Sequence, residues 1–398
     1  MKITVIGDIM CEPPVLKTSK RKDGSYNFDG VFTHLRNLLL ESDYVIGNIE
    51  FPLGGEEVGY TDTFFKFNAP DSFADAVKNA GIDMVSVINN HTLDRGADGM
   101  YRTLRVLEEK GIPYTGAFLP EVGHKEAEYF EVDGVKFALV AYTYVTNEKY
   151  SKNDAHLANM NVLRPHEIPT YTPDVRKRYY TWVDRKFPKV KYENRALIKQ
   201  LVGLPATIAR ADDYVDFFES EPYIDKFVAD IKQAKENADF VIAYPHVGGQ
   251  FNVEPGSFSK YCMYSAVKAG ADAVLASHSH MVQKAEIVNG IPCAYSLGNI
   301  NMSPNSRIII KKHLPDYGIA FHLYMENKKI EKVTFSILKG IEKKGEQISS
   351  WPVDELYANT KSKRQKRKLE KHIRQVYKYV TEKDIEGEIV RREYDLTK

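Results

Sequence analysis

The stretch Tyr44-Val45-Ile46-Gly47-Asn48-Ile49-Glu50 contains the pattern from which the fold can be predicted. It is a short apolar run with the length of one β-strand, and its polar side chains come where that strand should end. The same order occurs at residues 3–8, 84–91, 240–246 and 273–280, and amphipathic, helix-like stretches lie between several of these runs. Apolar strands joined by helical crossovers indicate a parallel sheet that is covered on both faces. The sequence therefore predicts an α/β fold.

Three turn signals indicate that hairpins are added to this parallel framework. They are Asp133-Gly134, Asn289-Gly290 and Asn327-Lys328, and each lies between two strand-like runs. We expect these hairpins to form a second, more antiparallel region.

Composition divides the 398 residues into a core and two additions. Between about residues 147 and 221 the alternation of strands and helices is lost, and prolines are scattered among Tyr, Lys and Arg. Beyond about residue 349 the chain is polar and rich in Lys and Arg. We expect a core domain at 1–348 that contains the insertion at 147–221, followed by a basic, mostly helical tail at 349–398.

Charge and cysteine content narrow the classes of partner and compartment. Lys and Arg number 55 against 54 Asp and Glu, so the net charge is too small to attract nucleic acid or an anionic membrane surface to the protein as a whole. The three cysteines are far apart and do not suggest a disulfide framework. No signal-like segment or apolar window of about 20 residues is seen. We expect a cytoplasmic protein with no nucleic-acid partner and no transmembrane segment.

Metal-capable side chains follow five of the predicted strands. They are Asp8, then Asn48 and Glu50, then Asn89, Asn90 and His91, then His246, and finally His278 and His280. The carboxyl ends of parallel strands meet in one crevice, so these side chains should converge. Carboxylate, amide and imidazole donors together suit Mn, Zn, Fe or Ni better than Ca or Mg. The pattern predicts a transition-metal site, and hydrolysis is the chemistry that such a site favours.

Each of these residues also has a purely structural explanation. Asp8 alone could cap a turn, and His246 alone would more often be a histidine with satisfied hydrogen bonds in the core. His278 and His280 could form a polar strand edge. The repetition at five strand ends favours the metal site over unrelated turns.

Five motifs carry a family resemblance. In chain order they are Gly7-Asp8-Ile9-Met10, Gly47-Asn48-Ile49-Glu50, Asn89-Asn90-His91-Thr92-Leu93-Asp94-Arg95-Gly96, Ser277-His278-Ser279-His280 and Tyr295-Ser296-Leu297-Gly298-Asn299. Together they resemble the bacterial capsule synthesis protein CapA family, which is associated with poly-gamma-glutamate synthesis and is similar to the calcineurin-like metallophosphatases. The resemblance covers roughly residues 1–301. It implies a double-sheet α/β/β/α sandwich with an inserted segment and a helical C-terminal tail.

The resemblance also implies a role for each site residue. The implied metal ligands are Asp8 and His280 for a first ion, Asn90, His246 and His278 for a second, and Glu50 as the bridge. His91 would be catalytic and would be steadied by Asp94. Asn48, Gln250 and Asn299 are the expected substrate contacts. Met10 stands where metallophosphatases usually carry a His, so we expect one or two divalent ions. Gln250 replaces a family carboxylate, which implies a different specificity.

The function that we expect is a metal-dependent hydrolase of the CapA type, which uses metal-activated water. Its substrate would be an acidic polymer such as poly-gamma-glutamate or a precursor of that polymer, with polymer-synthesis machinery as a partner. One alternative is a phosphoesterase that acts on a nucleotide or sugar phosphate. The other is a non-catalytic subunit that binds the polymer or its synthase.

Overall fold

The computed structural model describes residues 1–150, 153–165, 181–190, 192–204, 212, 217–306, 309 and 311–396. Much of the predicted insertion at 147–221 therefore lies outside the described residues. The predicted domain boundary at 348 and 349 stays a prediction.

The strands account for most of the core. They are β1 (Lys2–Ile9), β2 (Tyr44–Ile49), β3 (Met84–Ser86), β4 (Tyr114–Thr115), β5 (Glu128–Val132), β6 (Val135–Thr143), β7 (Phe240–His246), β8 (Ala273–Leu275), β9 (Ala285–Val288), β10 (Ile291–Ala294), β11 (Tyr317–Glu326), β12 (Lys329–Ile341), β13 (Ser349–Pro352) and β14 (Tyr394–Asp395). The helices are Pro13–Ser19, Asp29–Phe32, Arg36–Leu39, Ser72–Asn79, Gly96–Lys110, Trp182–Lys186, Tyr192–Leu201, Phe217–Asn237, Ser257–Ala269, Val353–Asn359 and Lys363–Thr381, with 3₁₀ turns at Ala155–Asn159 and Lys311–His313.

Two mixed sheets form the centre of the molecule. The first has the order β13-β12-β11-β1-β2-β3-β4, with β14 paired to β12, and the second has the order β5-β6-β7-β8-β10-β9. Strands β1 to β4 are parallel to one another, as are β6, β7, β8 and β10. The predicted α/β class with a parallel framework is confirmed.

Alternation along single strands places the second sheet between two layers. Phe137, Leu139 and Ala141 of β6 join the large core that also contains the side chains of the first sheet. Their neighbours Ala138 and Val140 face a smaller core formed with the helices Phe217–Asn237 and Ser257–Ala269. Because successive strand residues point to opposite faces, the second sheet lies between the first sheet and these helices. This is the predicted double-sheet sandwich.

All three predicted hairpin turns are present, but they are not gathered in one region. They join β5 to β6 and β9 to β10 in the second sheet, and β11 to β12 in the first. Both turn residues have positive φ in each case, which suits the twist of a two-residue hairpin. The expectation of a separate antiparallel region was wrong, because the hairpins extend the two parallel frameworks at their sides.

A seam of glycines joins the two sheets. Residues 296–300 follow β10 and run across to the first sheet, where Asp8 N–H donates to the Gly298 carbonyl at 2.9 Å. A Cβ atom on Gly7 would lie 2.0 Å from that carbonyl oxygen, and one on Gly318 would lie 2.2 Å from the Asn299 oxygen. Only glycine permits this approach of backbone to backbone.

The chain after residue 348 is attached to the first sheet at two places. Strand β13 pairs with the end of β12, and β14 pairs with Thr334 and Phe335 of the same strand. Helix Lys363–Thr381 buries Leu369, Ile373 and further apolar residues on one side. Among the described helices, none combines the length and the apolar character that crossing a bilayer requires.

A buried histidine in this sheet gives a testable pH dependence. His322 is fully buried, with Nδ1 2.7 Å from Thr4 Oγ1 and Nε2 3.0 Å from Ser336 Oγ. Burial, with Lys2 nearby, lowers its pKa to about 3. The folded protein therefore keeps this ring neutral where the unfolded chain takes up a proton, so stability that is present above about pH 6.5 is lost as the pH falls towards the folded pKa.

We expect the melting temperature to fall less steeply from about pH 7 to about pH 5 in His322→Gln than in the unaltered protein. Equal slopes would contradict this assignment, and the partly exposed His313→Gln is the matched control.

Candidate metal centre

The polar residues at the strand ends converge, as the sequence predicts. Asp8 is the last residue but one of β1, Glu50 directly follows β2, and His246 ends β7. Asn90 and His91 follow β3, and His278 and His280 follow β8. All these side chains are buried. The seam brings the first sheet, with its carboxylates, against the second sheet, with its imidazoles.

Glu50 lies at the centre of the cluster. Its Oε1 is 3.6 Å from His246 Nε2, 3.5 Å from His280 Nε2 and 3.9 Å from His91 Nε2. Neither carboxylate oxygen has a hydrogen-bond partner among the described residues, although the side chain is fully buried. A buried carboxylate without partners is costly, and a cation is the group that would satisfy it.

Two groups of three ligand atoms share this glutamate. The first contains Glu50, His246 and His278, and the atoms offered lie within 4.8 Å of one another. Asn90 adds an oxygen to this group, because its Oδ1 lies 2.8 Å from His246 Nε2 and 3.1 Å from His278 Nδ1. These four donors are of three chemical kinds, and four is the coordination number of a tetrahedral transition-metal site such as that of zinc.

The second group contains Asp8, Glu50 and His280. Within the described part of the chain no fourth donor comparable to Asn90 adjoins this group, and the Met10 side chain lies in the hydrophobic core. The structure therefore brings together both ligand sets implied by the resemblance. The set with Asn90, His246 and His278 has more donors than the set with Asp8 and His280.

The two histidines after β8 adopt unusual backbone conformations. His278 has φ of 103° and His280 has φ of 54°, a region that residues with a Cβ atom rarely occupy. His278 N–H also donates to Asp8 Oδ2 at 3.2 Å. The surrounding structure thus holds this segment in a strained form, as is common at functional sites.

Asn299 fixes the orientation of His280. Its Nδ2 donates to the carbonyls of His280 and Pro315, at 3.0 and 2.8 Å. The amide oxygen therefore faces His280 Nδ1 at 2.8 Å, and this ring nitrogen must carry the proton. The lone pair of Nε2 is left free on the side of Glu50. Carbonyl-oriented histidines of this kind are typical of metal sites.

We expect Asn299→Ala to weaken metal binding by about 10- to 100-fold, the range for residues that orient a ligand. Titration with Mn²⁺ by calorimetry would measure this. The matched control is Asn301→Ala, because Asn301 is also buried, and its amide makes two hydrogen bonds to the backbone of Met10 and none to a candidate ligand among the described residues. An equal loss of affinity in both variants would mean that the loop as a whole, and not the orientation of His280, is responsible.

His91 lies beside the two groups without belonging to either. Its Nδ1 is 2.6 Å from Asp94 Oδ2, which also accepts a hydrogen bond from Phe67 N–H at 2.6 Å. The Phe67 ring stacks on the imidazole at 4.2 Å, and Asn147 Nδ2 lies 3.3 Å from Nδ1. The predicted pair of His91 and Asp94 is thus in contact, with Nε2 directed towards Glu50.

The electrostatics of the cluster fit a bound cation. Burial, together with the nearby Asp8, raises the pKa of Glu50 well above its ordinary value. Burial and the neighbouring rings lower the pKa of His246 and His278 well below the usual range. Neutral imidazoles are the form that binds metals, and a cation would favour the charged form of the carboxylate. The residues present therefore fit a divalent transition-metal ion.

The expected substrate contacts occupy different environments. Asn48 is fully buried, and its Nδ2 donates to Asp8 Oδ1 at 2.8 Å. Asn299, as described, bonds His280. Gln250 is partly exposed in the loop after β7, and the ring of its neighbour Phe251 lies 5.7 Å from that of His280. Their roles towards a substrate stay predictions.

Two residues at the site were not predicted from the sequence. Asn147 contacts both His91 and Asn90, the latter through Nδ2 of Asn90 at 3.3 Å. It was assigned to the insertion, yet it lies only four residues beyond β6, where the strand-end rule would have found it. Glu12 is fully buried after β1, its Oε1 has no partner among the described residues, and burial raises its pKa to about 7.

Comparison with known proteins gives concordant matches. The model of the family described as bacterial capsule synthesis protein PGA_cap matches residues 2–303, a range that contains every candidate ligand. The capsule biosynthesis protein CapA of Bacillus anthracis is 27% identical over 330 residues, which are 80% of this chain and 65% of that protein. The PGA biosynthesis protein CapA of Bacillus subtilis (strain 168) is 24% identical over 301 residues, which are 75% of this chain and 62% of that protein.

The chain thus spans less than two thirds of the length of these two curated relatives. Among solved structures, a hypothetical protein from Thermus thermophilus aligns with 85% of this chain and 98% of its own, at 16% identity and a TM-score of 0.43.

Proposed function

The chain belongs to the bacterial capsule synthesis protein family PGA_cap, and from that premise we propose that it is a metal-dependent hydrolase. The bond it cleaves would lie in an acidic capsule polymer such as poly-gamma-glutamate, or in a precursor of that polymer. The names of the two CapA relatives support this choice of substrate. The polymer-synthesis machinery is the partner that we propose.

One observation carries the catalytic part of the proposal. Glu50 is fully buried, has no hydrogen-bond partner among the described residues, and faces three imidazole nitrogens at 3.5 to 3.9 Å. A protein that only binds a polymer has no need of such a costly arrangement.

When bound here, one or two divalent ions would supply positive charge and lower the pKa of a water molecule at the site. Asn90, His246 and His278 would hold one ion, Asp8 and His280 the other, and Glu50 both. His91 would move the proton: Asp94 keeps Nδ1 protonated, so Nε2 can accept or return a proton on the side of Glu50. Phe67 and Asn147 keep the ring in this plane.

The test is the metal content of protein purified without chelators, together with hydrolysis assays on poly-gamma-glutamate and on a generic phosphodiester. His278→Ala is the site variant, and His34→Ala is the matched control, since His34 stacks on Trp351 away from the cluster. The proposal would be supported by bound metal together with polymer cleavage, both lost in His278→Ala and both retained in His34→Ala. Cleavage of only the phosphodiester would replace it with the phosphoesterase. If neither metal nor cleavage were detected, the remaining candidate would be the non-catalytic polymer-binding subunit.

A further inference from the structure

A cleft lies at the same edge of the first sheet as the candidate metal centre. Its volume is about 540 Å³, and it is formed by the start of β11, the end of β12 and helix Lys363–Thr381. Tyr317 pairs with Lys339, and β11 runs antiparallel to β1, so this end of both strands adjoins the end of β1 that carries Asp8. Two strand spacings, about 10 Å, separate β12 from β1.

Direct contacts link the cleft to the metal centre. Asn299, which orients His280, donates to the carbonyl of Pro315, the residue before Asp316 in the cleft wall. On the other side, Ser303 donates its hydroxyl to the Glu342 carboxylate, also in the wall, and its N–H to Glu12 at 2.9 Å. The wall of the cleft is therefore joined to residues beside the metal centre by short chains of hydrogen bonds.

The lining combines cations with apolar surface. Lys311, Lys343 and Lys368 are exposed around the cleft, and among the described residues Lys311 and Lys368 have no carboxylate within 4.0 Å. Lys339 is also in the wall, ion-paired to Asp316 and 4.1 Å above the Tyr317 ring. Apolar side chains, including Leu314, Ile341 and Leu369, complete the wall.

The helix that forms one wall concentrates positive charge. Its sequence KRQKRKLEKHIRQVYKYVT contains eight Lys or Arg and one Glu. The whole chain has a formal charge of only +1, so this is a local feature and not a general basicity. An anionic ligand in the cleft would therefore be held from several sides.

We propose that this cleft binds a stretch of a linear polycarboxylate next to the metal centre. The choice of that polymer rests on the proposed function. Lysines suit carboxylates as point charges, and the apolar wall suits the methylene groups between them. Among the described lining residues the one phenol ring, Tyr317, is fully buried beneath Lys339, and the imidazole of His372 is the one partly exposed aromatic ring. The series of stacking platforms expected for a single-stranded nucleic acid is therefore lacking there.

The experiment measures binding of a short, fluorescently labelled oligoglutamate to the full chain in EDTA, so that neither metal nor turnover contributes. The cleft variant is Lys311→Glu with Lys368→Glu. The matched control is Arg367→Glu with Arg374→Glu, which makes the same charge change at two exposed positions of the helix outside the cleft. We expect the cleft variant to weaken binding by about tenfold or more, and the control by about twofold or less.

Three results would overturn the inference: no saturable binding of oligoglutamate, an equal loss in both double variants, or tighter binding of a single-stranded oligonucleotide or of phosphatidylglycerol vesicles. Hydrolysis distinguishes this inference from the proposed function. Cleft-dependent binding without cleavage would contradict the hydrolase proposal but support the cleft as a binding site. Cleavage of the polymer with KM unchanged in the cleft variant would support the hydrolase but contradict the cleft as a binding site.

Discussion

Replacing Glu50 by Gln is expected to remove bound metal and to lower hydrolysis by about a thousandfold or more, the size of effect when several kcal/mol of charge stabilisation is lost. Glutamine keeps the volume of the side chain but not its charge. Both groups of ligands contain Glu50, so a single substitution affects both ion positions. Metal per chain by mass spectrometry, with turnover on poly-gamma-glutamate as the proposed substrate, would measure the two losses.

The same variant should make the metal-free protein more stable. The folded pKa of Glu50 is raised above its ordinary value of 4.5, so this residue destabilises the metal-free fold increasingly as the pH rises above that value. An amide removes this cost, which we place at about 1 to 3 kcal/mol. Melting temperatures in EDTA at neutral pH would therefore rise by a few degrees.

Glu12→Gln is the matched control for the loss of metal. Glu12 is a second fully buried carboxylate, but it belongs to neither group of ligands, so its variant should keep its metal. A Glu50→Gln protein that retained full metal, or that melted below the unaltered protein in EDTA, would contradict the assignment.

Replacing His91 by Gln is expected to lower kcat by about 10²- to 10⁴-fold, the usual contribution of a positioned acid or base, while metal content is unchanged. His91 contacts Glu50 only at 3.9 Å and shares no ligand group with it. Asp94→Asn should act in the same direction, because the ring would lose the carboxylate charge, and an amide NH2 turned towards Nδ1 would favour the other tautomer. KM should change little if His91 acts only in the chemical step.

The informative comparison is between metal and activity in the same samples. Loss of metal along with activity in His91→Gln would make His91 a ligand and not a proton carrier. Full activity would remove it from the mechanism.

The sequence predicts which residues belong to the site better than it predicts the direction in which each side chain points. Strand ends are visible as the points where apolar runs stop, and parallel strands must end at a common edge, so Asp8, Glu50 and His246 could be brought together without coordinates. Whether a side chain points to the crevice or behind it depends on details that no periodicity carries. The register shift between Val5 and Asp8 in β1 is one such detail.

Asn48 and Asn299 illustrate the same limit. Both are expected to meet substrate, which stays a prediction, and in the structure each bonds a candidate ligand, Asp8 and His280 respectively. The positive φ of His278 and His280 reverses the usual alternation of a strand, so counting residues along Ser277-His278-Ser279-His280 could not assign their faces. The distribution of the hairpins between two sheets was equally hidden, because turn residues specify a local pairing and not the sheet that receives it.

The glycine seam has a consequence for ion selection. Asp8 belongs to β1 of the first sheet, and His280 follows β8 of the second. The backbone spacing between them is fixed by the hydrogen bond from Asp8 N–H to the Gly298 carbonyl and by the close packing at Gly7 and Gly318. A cavity of fixed width discriminates by ionic radius as well as by donor type. Ions with bonds of about 2.0 to 2.2 Å and an affinity for imidazole would fit, whereas Ca²⁺, with bonds of about 2.3 to 2.6 Å, prefers an all-oxygen shell that His280 does not supply.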